Sequence, residues 1–205
     1  MPSDPFVKCT AQETEDILSR LQTHVLDLVV EMNRAFVIKK PLKFYADAMY
    51  YEIAEAHQNP ARILSFIVTG DDLLFCDGNA KKLIDFNFKS KLILNKNTIL
   101  DYVRFYMGHV TGPHGQSIIV DTVEDIGLQE EPSPGVRKSL NDRIVPLALH
   151  GSLPGAGYQC RGTLLIQKTL YSVYLDVDRL GRIMPRMNRV LADVLPVQDR
   201  ILEGP

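Results

Sequence analysis

The longest stretch of the chain with one clear hydrophobic period lies between residues 143 and 184, and its period is two. Apolar and polar residues alternate there in two successive runs. The apolar side of the first run holds Tyr158, Cys160, Leu164 and Ile166, and that of the second holds Tyr171, Val173, Leu175 and Val177. Because successive side chains of a strand point to opposite faces, the pattern predicts antiparallel strands with one buried face. Pro146 lacks a donor N–H, so its strand is expected at an edge or at a bulge.

The N-terminal part of the chain has the period of a helix instead. Thr10 and Glu13 have the spacing of a capping box. An apolar stripe then predicts a long amphipathic helix that ends near Lys40, and Pro41 suits the first position of a second helix that ends before Pro60. These two helices would form a pair that covers the sheet.

Shorter elements are predicted between the helical pair and the long strands. A helix begins at Asn97 or Thr98 and ends before Pro113, and a short helix closes the domain around residues 187–194. Up to four short strands are expected at residues 63–69, 73–76, 84–88 and 92–94, and the region of Lys81 and Lys82 could instead hold one helical turn. A further strand is expected at residues 117–126. Residues 127–142 combine proline, glycine, serine and charges, which predicts a long, mobile surface loop.

These elements predict an α+β protein in which an N-terminal helical pair packs on a curved antiparallel β-sheet. We assign residues 1–9 to an N-terminal arm, residues 10–196 to a single domain and residues 197–205 to a C-terminal tail. The chain has 205 residues, of which 45% are hydrophobic, so it is long enough to bury a core.

The order of elements resembles the cone-shaped α+β roll of the NTF2-like superfamily, in which helices lie across a strongly bent sheet. Residues 101–120 (DYVRFYMGHVTGPHGQSIIV) and residues 158–184 (YQCRGTLLIQKTLYSVYLDVDRLGRIM) are also similar to patterns in bacterial proteins of unknown function. The superfamily contains isomerases, dehydratases and non-catalytic binding or assembly domains. The resemblance therefore implies a fold and leaves the function open.

Composition narrows the classes of partner. The formal net charge of −2 gives no global reason to expect nucleic acid or a membrane as partner, and we expect neither. Cys9, Cys76 and Cys160 cannot all pair within one chain and lack metal-ligand spacing, which favours reduced thiols in a cytoplasmic protein. No signal-peptide pattern occurs at the N-terminus. We expect no cofactor and no resident metal.

Several local motifs have both a functional and a structural interpretation. A turn could bring His109 and His114 together as metal ligands with Asp121 or Asp125, although we favour a His109 that binds the last carbonyls of its helix and a solvated His114. Cys160 lies on the apolar side of a strand, where a buried thiol is ordinary. The glycine-rich run at residues 151–157 leads into a strand, so we interpret it as a turn at a pocket rim.

Acid–base catalysis in an enclosed cone is the sharpest enzyme hypothesis. It needs a carboxylate or histidine in an apolar cavity, where desolvation raises the pKa of a carboxyl group, and a tyrosine or histidine that polarises a carbonyl. The candidates for such a ligand pocket are Tyr45, Asp47, Tyr50, Asp121, Tyr158 and Tyr174, with Asp47 and Tyr50 on one helix face. The structural alternative, which we favour, is that the tyrosines pack in the core and the aspartates are exposed.

Four arginines near the C-terminus form a basic patch: Arg179, Arg182, Arg186 and Arg189. They could meet an acidic partner or pair with acids of the same chain. We also expect a homodimer through an outer sheet face, because the two apolar runs are interpreted as lying on two faces of the sheet, one of which a partner would cover. Our preferred function is a binding or accessory module for a small apolar ligand or a protein partner. The alternative is an isomerase or dehydratase that uses an inward aspartate and tyrosine.

Overall fold

The computed structural model describes residues 5–24, 35–55, 62–70, 72–113, 115–155 and 157–197. The chain divides into two compact units, one ending at Asp77 and the other beginning at Gly78. The single domain expected over residues 10–196 spans both units. Within the described residues the protein is α+β, with four α-helices and two antiparallel sheets of five strands each. No helix in this part of the chain is long and apolar enough to cross a membrane.

The N-terminal unit is a five-stranded antiparallel sheet with one helix. Its strands follow the order β1-β2-β3-β4-β5. The elements are β1 (Val7–Lys8), α1 (Ala11–His24), β2 (Ala35–Pro41), β3 (Ala48–Glu55), β4 (Arg62–Thr69) and β5 (Asp72–Phe75). The predicted strands at 63–69 and 73–76 are confirmed. The capping box is also confirmed, because Thr10 N–H donates to Glu13 Oε2 at 3.0 Å and Glu13 N–H donates to Thr10 Oγ1 at 3.3 Å.

The predicted N-terminal helical pair is wrong. The first predicted helix is found only up to His24, and residues 25–34 lie outside the described part. Residues assigned to the end of that helix and to the second helix form β2 and β3, which pair with each other from Ala35↔Glu55 to Pro41↔Met49. A short apolar stripe fits both periods, and long-range pairing decides between them. Apolar side chains from α1 and the sheet form the core: Ile17, Leu18, Leu21, Val37, Ile53, Leu64 and Phe66.

The second unit contains three helices, a short 3-10 helix (Val123–Ile126) and five strands. Its helices are α2 (Ala80–Lys89), α3 (Ile99–His109) and α4 (Pro134–Asn141). Its strands are β6 (Ser117–Val120), β7 (Ala148–Leu153), β8 (Gly157–Ile166), β9 (Thr169–Val177) and β10 (Ile183–Ala192). The sheet order is β10-β9-β8-β6, and β7 also pairs with β8. The helix predicted from Thr98 and the two long alternating strands are confirmed.

Several local predictions in this unit are wrong in whole or in part. No strand forms at 84–88 or at 92–94. Residues 84–88 lie in helix α2, which bears out the alternative of a helical turn near Lys81 and whose N-cap Asn79 accepts from the N–H groups of Lys81 and Lys82. Residues 92–94 lie in the loop that follows this helix. The predicted strand at 117–126 ends at Val120 and continues as the 3-10 helix. The loop expected at 127–142 contains α4, which Ser133 caps. The closing helix is strand β10, and Pro146 lies before β7 rather than inside it.

The pairing of β10 with β9 explains why its sequence has a helical period. The register shifts between Met187 and Arg189 and again between Val190 and Ala192. Each bulge inserts one extra residue into the strand. Met187 and Val190 therefore lie on the same face of the sheet although they are three residues apart.

Lys91, two residues after the end of helix α2, has an unfavourable backbone conformation with φ 54°. The N–H of Leu92 donates to the carbonyl oxygen of Asn87 at 3.0 Å. Lys91 therefore occupies the position of a Schellman motif where glycine is favoured. A residue with a side chain loses about 1–2 kcal/mol of stability in this conformation. Glycine avoids that loss, but its greater freedom in the unfolded chain lowers the stability by about 0.5–1 kcal/mol. We expect Lys91→Gly to raise the free energy of unfolding by about 0.5–1 kcal/mol in a urea titration. A loss of stability would contradict this account of Lys91.

Candidate functional site

The outer strand β10 of the second sheet is the most unusual surface of this unit. It occupies the end of the sheet order, and every residue from Met184 to Val190 is exposed. The three largest apolar side chains remain 58% (Met184), 46% (Met187) and 52% (Val190) exposed. Exposed apolar side chains grouped on one strand are characteristic of interaction surfaces.

The register divides β10 into two rows of side chains. Pro185, Met187 and Val190 lie opposite Leu175, Val173 and Tyr171 and so belong to one face, which we call the apolar row. Met184, Arg186 and Arg189 lie opposite Asp176, Tyr174 and Ser172 and belong to the other face, which we call the basic row. Together the two rows form what we call the β10 surface.

The same register corrects one argument from the sequence. Leu164 lies opposite Tyr171, Cys160 opposite Leu175 and Tyr158 opposite Val177, so the two apolar runs share one face of the sheet. They do not occupy two faces, and the reason given for a homodimer is therefore wrong. Leu165 and Leu170 lie on the other face and pack with Val123, Ile126 and Leu140.

The four predicted arginines are all exposed, but they differ in their partners. Arg182 Nε lies 2.7 Å from Asp178 Oδ2, and Arg186 Nε lies 2.9 Å from Asp176 Oδ2. Arg179 and Arg189 make no ion pair with any described residue. Two of the four charges are therefore partly neutralised within the chain, and two are available to a partner.

Asp176 anchors the basic row to the sheet. Its carboxylate accepts a hydrogen bond from Gln159 Nε2 at 2.7 Å and one from Arg186 Nη2 at 3.1 Å. Partial burial raises the pKa of Asp176, but these hydrogen bonds outweigh that effect and leave the pKa below its ordinary value. Asp176 therefore stays ionised at neutral pH and holds the Arg186 guanidinium, whose centre lies 5.9 Å from the Tyr174 ring.

A half-open pocket of about 290 Å³ lies beside the start of β10. Leu153 at the end of β7, Pro154 and Gly155 in the turn, and Gly157 at the start of β8 line one side. The glycine-rich run therefore borders a pocket as predicted, but its residues 151–153 belong to β7 and not to the turn. Asp178, Arg179, Arg182 and Met184 line the other side. Gly157 is required here, because a Cβ at this position would lie 2.7 Å from the carbonyl oxygen of Val177. The pocket combines apolar walls with two aspartates and two arginines, of which Arg179 makes no ion pair with any described residue.

Three of the six candidate pocket residues lie in the N-terminal unit. Tyr45 is buried in the loop after β2, and Asp47 is exposed in the same loop. Tyr50 is buried in β3, where its hydroxyl donates to Glu52 Oε1 (2.9 Å) or Ser65 Oγ (3.0 Å). Asp47 and Tyr50 do not share a helix face, because no helix forms there.

The other three candidates lie in the second unit. Asp121 follows β6, and both of its carboxylate oxygens accept hydrogen bonds. Oδ2 accepts from Arg104 Nη2, and Oδ1 accepts from Leu147 N–H at 2.7 Å. Tyr158 and Tyr174 are half-buried on opposite faces of the sheet. Tyr174 contacts the ring of His150, with 5.2 Å between centroids. Of the six residues, Tyr174 is the one that borders the basic row.

The cysteine and histidine predictions have simple outcomes. All three cysteines are free, and burial raises the pKa of Cys160 to about 11, which keeps the thiol protonated. His109 Nδ1 lies 2.8 Å from the carbonyl oxygen of Phe105, so the prediction that His109 binds the last turn of its helix is confirmed. His114 lies outside the described residues. Among the described residues, no group of three or more His, Cys, Asp or Glu side chains is placed to hold a metal ion.

Comparison of the chain with protein-family models, with curated proteins and with solved structures finds no match. The resemblance to the NTF2-like superfamily therefore stays a prediction. The α+β class and the antiparallel pairing of both sheets stand independently of it.

Proposed function

We propose that the protein is a non-catalytic binding module and that its β10 surface docks an extended segment of a partner protein. The observation that carries the proposal is an exposed edge strand with an apolar row on one face and arginines on the other. An edge strand presents unpaired backbone groups, so an extended peptide can join the sheet there through main-chain hydrogen bonds.

The two rows specify the chemistry of the partner. A strand added beside β10 places its own side chains alternately above and below the sheet. Apolar side chains would lie next to Met187 and Val190, and acidic side chains would lie next to Arg186 and Arg189. The partner segment is therefore expected to alternate apolar and acidic residues. Arg189, which has no ion pair with a described residue, is the charge that such a segment would neutralise.

Charge disfavours a second copy of this chain as the occupant. If two β10 strands paired antiparallel in one continuous sheet, each basic row would face the other. Like charges directly opposite on paired strands are destabilising. A homodimer is therefore an outcome to be tested rather than our proposal, and the favoured occupant is a different protein with acidic character.

The pocket supports the same function. It lies next to Met184, the first residue of the basic row, and it is lined by the unpaired Arg179. A peptide that follows β10 could place one further acidic or apolar side chain in this pocket. Pro185 and the bulges after Met187 and Val190 limit the length of regular pairing, which is a common protection of edge strands against indiscriminate association.

The isomerase or dehydratase alternative receives no comparable support. It requires a carboxyl group with a raised pKa in a dry cavity. Four carboxyl groups have a pKa below the ordinary value, which is the opposite direction: Glu13, Glu124, Asp176 and Asp193. Asp121 already accepts hydrogen bonds on both oxygens.

A synthetic peptide tests the proposal directly. We expect an eight-residue peptide of alternating valine and glutamate, labelled with a fluorophore, to bind the purified protein in a fluorescence-anisotropy titration. Arg189→Glu replaces an attraction with a repulsion and should weaken binding at least tenfold, which corresponds to about 1.4 kcal/mol. The amides of β10 should also exchange more slowly with deuterium in the presence of the peptide.

The controls separate a specific surface from general electrostatics. Lys138→Glu makes the same charge change at an exposed position on α4 and should bind the peptide like the wild type. A valine–lysine peptide should not bind. Equal weakening by Lys138→Glu and Arg189→Glu, or dimerisation of the free protein through β10, would overturn the proposal of an acidic partner strand.

A further inference from the structure

A second surface, on and after helix α2, concentrates positive charge. Residues 79–97 contain five lysines and a single acidic residue, Asp85, in a chain whose formal net charge is −2. All five lysines are exposed: Lys81, Lys82, Lys89, Lys91 and Lys96. We call this set, with Phe88 and Ile93, the lysine surface. The net charge of the chain conceals it, and a count of lysines in a short window would have found it.

Helix geometry places most of these side chains together. Lys81, Asp85 and Phe88 are spaced i, i+4, i+7, and Lys82 and Lys89 lie on the same exposed side of α2. The other side of the helix is buried through Leu83, Phe86 and Asn87. The lysine surface is therefore one continuous helix face followed by a turn.

Two apolar side chains project from this basic surface. Phe88 is 78% exposed and Ile93 is 42% exposed. Lys81, Lys89, Lys91 and Lys96 make no ion pair with any described residue. Phe88 is the most exposed of the phenylalanines in the described part of the chain, and it lies on the same helix face as Lys81 and Lys89.

We propose that the lysine surface binds an anionic phospholipid surface, with Phe88 inserted between the headgroups. Lysines attract a membrane that carries anionic lipids, and an apolar side chain among them adds burial at the boundary between headgroups and acyl chains. The surface contains no arginine, whose planar fork would favour bidentate recognition of a single phosphate, so a diffuse negative surface is the better complement. Binding is peripheral, through one helix face and the turn that follows it.

Nucleic acid is a weaker complement to the same charges. Binding of single strands without sequence preference uses aromatic platforms on which successive bases stack. The exposed part of the lysine surface offers one aromatic ring, Phe88. The lysines could bind phosphates of a duplex, but Phe88 would then be left in water and would contribute nothing. Dependence of binding on Phe88 therefore distinguishes the two partners.

Lys91 supports a role for charge at this position. It adopts φ 54°, a conformation in which glycine is favoured at the end of a helix. The chain thus keeps a positive side chain where a neutral residue would be more favourable for folding. Strain retained at a surface position is consistent with use of that side chain by a ligand.

Co-sedimentation with lipid vesicles tests the proposal. The full chain is mixed with vesicles of phosphatidylcholine alone and with vesicles that contain 30% phosphatidylserine. We expect binding to the anionic vesicles only, and weaker binding as the salt concentration rises. At about 1 kcal/mol, or fivefold, for each lysine near the surface, Lys81→Gln combined with Lys89→Gln should weaken binding about 25-fold. Phe88→Ala should weaken it about tenfold.

Matched variants and a second polyanion decide the outcome. Lys138→Gln combined with Lys168→Gln removes two exposed lysines elsewhere and should leave vesicle binding unchanged. Phe36→Ala removes an aromatic ring that is 44% exposed in the N-terminal unit and should also leave vesicle binding unchanged. The proposal is overturned by equal binding to neutral vesicles, by no binding to anionic ones, or by binding to duplex DNA that Phe88→Ala leaves unchanged. Neither surface shares a residue with the other, so Arg189→Glu should not affect vesicle binding.

Discussion

Gly181→Ala is expected to destabilise the second unit by at least about 3 kcal/mol. Gly181 has φ +82°, a left-handed conformation that costs an alanine about 1–2 kcal/mol. The added Cβ would also lie 2.3 Å from Tyr102 Oη and 2.7 Å from Asn87 Nδ2, which is closer than real Cβ atoms approach. The two buried side chains would have to move, and their hydrogen bonds would be lost.

Those hydrogen bonds tie two helices to the turn before β10. The Tyr102 hydroxyl donates to the carbonyl oxygen of Gly181 at 2.7 Å. Asn87 Nδ2 donates to Tyr102 Oη at 2.8 Å and to the carbonyl oxygen of Leu180 at 3.0 Å. Burial raises the pKa of Tyr102 above its ordinary value, so the hydroxyl remains a donor. A buried polar group left without its partner costs about 1–3 kcal/mol, which adds to the backbone term.

Gly155→Ala is the matched control for this prediction. Gly155 has a similar φ of +76°, but nothing lies within 4 Å of the position its Cβ would take. In this variant the free energy of unfolding should fall only by the cost of the left-handed backbone conformation, about 1–2 kcal/mol. Urea unfolding of both variants, followed by circular dichroism, gives the difference. Equal losses of stability would show that Tyr102 and Asn87 do not restrict the space beside Gly181. The peptide-binding affinity of Gly181→Ala should also fall, because this turn leads into β10.

The strands that sequence analysis found correctly are those with an undisturbed period. In β8 and β9 the register runs without a bulge from Tyr158↔Val177 to Ile166↔Thr169, so apolar and polar side chains alternate along the sequence. In β10 the two bulges break the alternation and produce a spacing typical of a helix. Bulges depend on pairing with a neighbouring strand, and a single strand's sequence does not contain that information.

The prediction for the N-terminal unit was wrong for a related reason. Tyr45, Met49 and Ile53 have helical spacing, and the second predicted helix was built on them. In the structure Tyr50 and Ile53 are buried in a strand that pairs on both sides, with β2 and with β4. Local propensity was outweighed by pairing between segments that are distant in sequence. Residues 41–55 show how far tertiary context can override a short apolar stripe.

The candidate site was only partly predictable. The four arginines in and just before β10 and the glycine-rich pocket rim were visible as local clusters of one residue type. The apolar row was not, because Pro185, Met187 and Val190 align only after the bulge is known. The ion pairs of Arg182 and Arg186 join residues four and ten positions apart, and only the turn between β9 and β10 brings them together. Sequence alone could therefore locate the charges but could not tell which of them are neutralised.

Two isoleucines in neighbouring strands of the N-terminal unit provide the second prediction with a large effect. Ile53 in β3 is fully buried, whereas Ile63 in β4 is 54% exposed. Ile53 lies opposite Leu64, and Ile63 lies opposite Ala54, one position further along the same pair of strands. The two sites thus share residue type, sheet and strand pair, and they differ in burial.

Ile53→Ala is expected to lower the free energy of unfolding by about 2–5 kcal/mol, because it removes buried methyl groups and leaves a cavity in the core. That core includes Leu21 of α1 and Phe66 of β4, so the helix should lose part of its packing surface as well. Ile63→Ala removes the same atoms from a position already half in water and should cost less than about 1 kcal/mol. Urea unfolding measures both values, and hydrogen exchange of the β3 and β4 amides shows where the opening occurs. Similar losses from the two substitutions would mean that the face of β3 that carries Ile53 is not the packed face of this sheet.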